Sequence, residues 1–121
     1  MAIQARDFDV LHRYAQGVMN RAEHHARDVS AIALALLGAI IWRGEPGSVE
    51  IKQHAGELAN VLWVTIGGVR YAFAYNHEVA AIEMRDRTVQ GAVLHRFTNN
   101  MPVTEVEAIF RSLGTADRLV A

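Results

Sequence analysis

On either side of Gly67-Gly68 apolar and polar residues alternate with a period of two, and this pattern predicts a β-hairpin. Adjacent glycines flanked by β-branched and aromatic residues supply the positive φ angles of a two-residue loop. Such a loop sets the register. Ile66 pairs with Val69, Val64 with Tyr71, Leu62 with Phe73 and Asn60 with Tyr75 on one face; Thr65 with Arg70, Trp63 with Ala72 and Val61 with Ala74 fall on the other. A second two-residue turn at His77-Glu78 sets Ala80, Ile82 and Met84 opposite Tyr75, Phe73 and Tyr71, so the aromatic face continues onto a third strand. Arg70 then lies opposite Arg85. The second face carries Trp63, Arg70, Ala72, Ala74, Ala81, Glu83 and Arg85, a mixture that is neither plain core nor plain solvated surface.

Elsewhere the period changes to that of a helix. From Asp7 or Asp9, apolar residues recur at Phe8, Leu11, Ala15, Val18, Met19, Ala22 and Ala26, with His12, Arg13, Gln16, Asn20, Glu23 and Arg27 on the other side. Asp28 is placed to cap a second helix over residues 29–42, whose only polar residue is Ser30. A helix that apolar is buried on most sides, or one of its sides is a subunit interface. Residues 44–47, Gly-Glu-Pro-Gly, end it and turn the chain. Val49 and Ile51 mark a short edge strand, and residues 91–98 a last strand. Its register is open: a five-residue connection puts Leu94 beside Ile82, a four-residue one His95. Thr104 and Glu107 have the spacing of a capping box, followed by the stripe Val106, Ile109, Phe110 and Leu113 and the stop at Gly114.

This order predicts one α+β domain over residues 1–121, with two N-terminal helices packed on one face of a five-stranded antiparallel sheet and a short C-terminal helix. At 121 residues and 51% hydrophobic the chain can bury a core without staples. Having no cysteine, it can form no disulfide and no thiolate metal site. The absence of thiols, with no basic and apolar leader at the start, fits a cytoplasmic protein. A net charge of −1 lacks the footprint of a general nucleic-acid binder, and the apolar run before Arg43 is shorter than the roughly 20 residues of a bilayer span.

Candidate chemistry is sparse. The six histidines, His12, His24, His25, His54, His77 and His95, have no metal-binding spacing, and no motif for a cofactor, a nucleotide or a serine nucleophile occurs. No metal, cofactor or catalytic residue is therefore expected. One constellation stands out on the second sheet face: Trp63, Arg70, Glu83 and Arg85, with His95 if the last strand's register allows. Opposed arginines call for an anion or Glu83 between them, and the indole offers stacking. Two readings stay open, a salt-bridge ladder with Trp63 covered by a neighbouring subunit, and a ligand pocket.

Residues 70–113 carry Tyr-Ala-Phe-Ala-Tyr-Asn-His, Ile-Glu-Met-Arg-Asp, Gly-x-Val-Leu-His-x-Phe-Thr-Asn and Pro-Val-Thr-Glu-Val-Glu-x-Ile-Phe. In these stretches the chain resembles small bacterial proteins encoded by integron gene cassettes. The resemblance implies a cytoplasmic α+β protein of unknown biochemical role, often homo-oligomeric, and carries over no catalytic residue. The expectation is a non-enzymatic homo-oligomeric module that uses the open sheet face for self-association or for a protein or small-molecule partner. The alternative is a small enzyme or binder with Trp63, Arg70, Glu83 and His95 around a pocket.

Overall fold

Gly67 and Gly68 adopt φ angles of +59° and +82°. The strands they join, Glu57–Ile66 (β2) and Val69–Asn76 (β3), pair Ile66 with Val69, Val64 with Tyr71 and Leu62 with Phe73, the register the two-residue loop requires. This computed structural model describes residues 12–17, 19, 29–54 and 57–114, except the side chains at 53–54 and 57–60. Glu50–His54 (β1), Ala81–Asp86 (β4) and Val93–Phe97 (β5) complete a five-stranded antiparallel sheet in sequential order. With helix α1, helical at residues 12–17 and 19, helix α2 (Ser30–Arg43) and helix α3 (Val103–Ser112), the fold is α+β.

The second turn is longer than the two residues expected. Asn76 Oδ1 accepts a hydrogen bond from the Glu78 amide at 2.9 Å, and Ala80 takes a φ of +50°, so four residues separate paired Asn76 and Ala81. Ile82, Met84 and Asp86 therefore face Tyr75, Phe73 and Tyr71. A shift of two residues preserves the faces but changes every partner, and Arg85 pairs with Ala72 rather than Arg70. Neither anticipated register of the last strand holds: Phe97 lies beside Ile82, and His95 beside Met84. The pairing slips between Met84 and Arg85, which faces Val93, so the strand bulges at Leu94.

The core joins Ile32, Leu36 and Ile40 of α2 and Val106 and Phe110 of α3 to alternate sheet positions Leu62, Val64, Ile66, Tyr71, Phe73, Met84 and Phe97. Tyr14, which the apolar spacing of the first helix passes over, belongs to the same cluster. Residues 7–11, 18 and 20–28, including the proposed cap Asp28, lie outside the described residues. At the start of α2, Val29 holds the cap position without a side-chain hydrogen bond of its own. The Ile32 amide in the first turn instead donates to Asn99 Oδ1 at 2.9 Å, a cap brought from beyond β5.

Gly44 ends α2 where a Cβ would stand 2.7 Å from the Ile40 carbonyl oxygen and 2.8 Å from Val64 Cγ2. The capping box at Thr104 does not form. Pro102 is the cap residue of α3, Thr104 lies inside its first turn, and Glu107 pairs with Arg111 at 2.6 Å. The far end of α3 is closed from a distance. Arg43 donates to the carbonyl oxygens of Phe110, of Arg111 at 3.1 Å and of Leu113 at 3.3 Å.

Candidate functional site

Strand alternation sets Trp63, Ala72, Ala74, Glu83, Arg85 and Arg96 on the face turned away from the core positions. Ala72 pairs with Trp63 on one side and with Arg85 on the other; one step along, Ala74 pairs with Val61 and Glu83, and Glu83 with Arg96. The two alanines hold the indole and the arginines about 10 Å apart across the strands. Trp63 is half-buried, and the Arg70 guanidinium lies 5.2 Å from its ring centre. On its other side Arg70 reaches Glu50 at 3.3 Å, an exposed pair of small energetic weight.

Glu83 is the one charged residue among the buried described residues, at 3% exposure. Arg85 donates to Oε1 at 2.8 Å and Arg96 to Oε2 at 2.9 Å. These bonds, the Arg85 one first, with a further one from Asn76, outweigh burial and hold the carboxyl at about 2, below the ordinary 4.5. Arg85 is itself anchored by donating to the Gly91 carbonyl at 3.1 Å. With each oxygen taken by a guanidinium and the proton lost well below neutrality, Glu83 has the opposite character to a general base poised near pH 7.

The sheet divides the residues singled out from the sequence. Trp63, Arg70, Glu83 and Arg85 share the outward face, but His95 stands opposite Met84 with its ring 6.1 Å from that of Phe97, on the core side. Arg70 and Arg85 are not a pair, and Glu83 lies between Arg85 and Arg96 rather than between Arg70 and Arg85. Arg96 is the member that sequence reasoning missed. Its signal was parity: whichever connection set β5, a face shared with Glu83 excluded one of His95 and Arg96. The ladder of Glu50, Arg70, Glu83, Arg85 and Arg96 sets three guanidiniums against two carboxylates.

Among the described residues no three His, Cys, Asp or Glu side chains come together as a metal site. A small cavity of about 40 Å³ lies on the other side of the sheet, lined by Tyr14, Leu36, Leu62, Phe73 and Ile82 among others, far below the volume of a ligand pocket. No described helix is long and apolar enough to cross a membrane.

A second exposed feature is apolar. On α2, Leu34, Ile41 and Trp42 are 62%, 65% and 48% exposed, although Leu36 and Ile40 of the same helix are buried. Trp42 carries the guanidiniums of Arg43 and Arg111 at 5.9 and 5.2 Å from its ring. The expectation that α2 is buried on most sides thus fails for one stripe.

The family model described as Integron cassette protein VCH_CASS1 chain matches residues 11–107. No curated protein matches the chain.

Proposed function

The chain belongs to the integron cassette protein family, and on that footing we propose that it is a non-enzymatic, homo-oligomeric interaction module. The observation that carries this reading is the outward side of α2. Between Ser30 and Trp42 there is no charged residue, and Leu34, Ile41 and Trp42 stay open to solvent after folding. Contiguous exposed apolar surface of this kind marks an interaction site. In the same reading α1, α2 and α3 lie together on one face of the sheet, supported by the single core cluster that Tyr14, Leu36 and Phe110 share with Leu62 and Phe73.

The sheet face is the weaker candidate for the contact. Its buried carboxylate is already neutralised within the protomer by Arg85 and Arg96, so Glu83 needs no partner's charge. A catalytic pocket of Trp63, Arg70, Glu83 and His95 loses support because the sheet stands between His95 and the other three. Sedimentation equilibrium of the full chain at micromolar concentration tests the proposal. A mass at least twice the 13.4 kDa protomer is expected; a strictly monomeric species defeats it.

A further inference from the structure

Resting on that reading, we propose that the outward side of α2 is covered by α2 of a second copy, running antiparallel about a two-fold axis at Gly38. The surface is self-complementary, as a two-fold contact requires. Ala31, Leu34, Gly38 and Ile41 are all exposed and recur at spacings of three, four and three, one stripe along the helix. With Gly38 on the axis, Trp42 meets the other copy's smaller Leu34, and Ile41 meets its smaller, half-buried Ala35.

Among the described residues nothing around Gly38 requires a glycine. A Cβ there would meet nothing within 4 Å, and glycine inside a helix costs about 1 kcal/mol relative to alanine. A second helix crossing at close range gives that absence of a side chain a use. The exposed parts of Leu34, Ile41 and Trp42, counted on both copies, amount to roughly 800 Å², and the exposed Ala31 and Gly38 bring the stripe close to the roughly 1,000 Å² lower bound for a specific contact. A contact of that size is at the weak, reversible end of specific association.

Charge argues for an apolar protein surface over an anionic lipid one. The two cations at the edge of the stripe are already engaged: Arg43 by the carbonyls of α3 and Arg111 by Glu107. In the antiparallel arrangement Arg43 lies five residues from the axis, so the two copies of it stand about 15 Å apart, beyond the roughly 8 Å screening length at physiological salt.

The chain has no cysteine, so a single introduced thiol reports one contact. Gly38→Cys should oxidise to a disulfide-linked dimer, whereas Leu94→Cys, also exposed but on the sheet, should not. Leu34→Glu with Ile41→Glu should weaken self-association at least tenfold with helix content unchanged, and Trp63→Glu should leave it intact. An oligomer that ignores the α2 changes and gives no Gly38→Cys disulfide overturns this seam while leaving the interaction module standing. A monomeric wild type removes both. Binding of α2 to vesicles of anionic lipid without self-association also overturns the seam.

Discussion

Gly67 and Gly114 meet backbone to backbone: a Cβ on either would stand 2.8 Å from the Cα of the other. Both have positive φ, +59° and +83°, so each position excludes a side chain on two separate grounds. The contact seats the β2–β3 hairpin loop against the exit from α3. Gly68, beside it at φ +82°, has open space around its missing Cβ and is constrained by φ alone. Gly67→Ala should therefore destabilise by roughly 2–4 kcal/mol and Gly68→Ala by about 1 kcal/mol. Urea midpoints measure the difference, and equal losses would mean that the contact yields freely.

Glu83 predicts an acid limit to stability. Its folded value of about 2 lies below the ordinary 4.5, so the unfolded chain binds the proton more tightly. The stabilisation is complete above about pH 4.5 and is lost as pH falls from there toward 2. It is on the order of 3 kcal/mol. Glu83→Gln should lose a similar amount at pH 7 and flatten the dependence across that window, as followed by denaturant titrations at stepped pH. A variant with the wild-type slope would assign the acid sensitivity to other carboxyls.

Asn99 predicts a long-range cap effect. Removing the acceptor of the Ile32 amide by Asn99→Ala should cost about 1 kcal/mol and loosen the first turn of α2, whereas Asn99→Asp keeps an acceptor and adds a favourable charge at a helix start. Amide exchange at Ile32 separates the two. Equal protection in both variants would show that the bond contributes nothing.

Leu36 and Leu34 are two positions apart on α2 and should behave as opposites. Leu36 is 3% exposed, so Leu36→Ala should cost about 3 kcal/mol, and Leu36→Asp should abolish cooperative folding by burying an unpaired charge. Leu34→Ala, at 62% exposure, should change the protomer's own stability by less than about 0.5 kcal/mol. Thermal melts at a concentration below association measure both.

The parts of this molecule legible in its sequence are those set by local geometry. The Gly67-Gly68 loop fixed the pairs from Ile66–Val69 back to Val61–Ala74, because a two-residue turn leaves no freedom of register. The second turn escaped because Asn76 uses its side chain to support a longer loop, which moved Arg85 from Arg70 to Ala72. His95 and Arg96 could not be told apart until the bulge at Leu94 was known, and that bulge has no glycine or proline to mark it. The long-range caps stayed hidden for a different reason. A spacing rule looks for a partner within a turn, whereas the partner of Ile32 is Asn99 and those of Arg43 lie in α3.

That last arrangement has a consequence for how the chain is made. The start of α2 is completed by a residue just before α3, and the end of α3 by a residue at the end of α2; the hydrogen bonds from Ile32 to Asn99 and from Arg43 to Phe110 each span 67 positions. On a ribosome, α2 emerges long before either partner exists. It must wait without Asn99 at its first turn and without the sheet on its apolar side while the sheet is being synthesised. Final closure of both helices is then a late event of synthesis, reached only once residue 113 has cleared the exit tunnel.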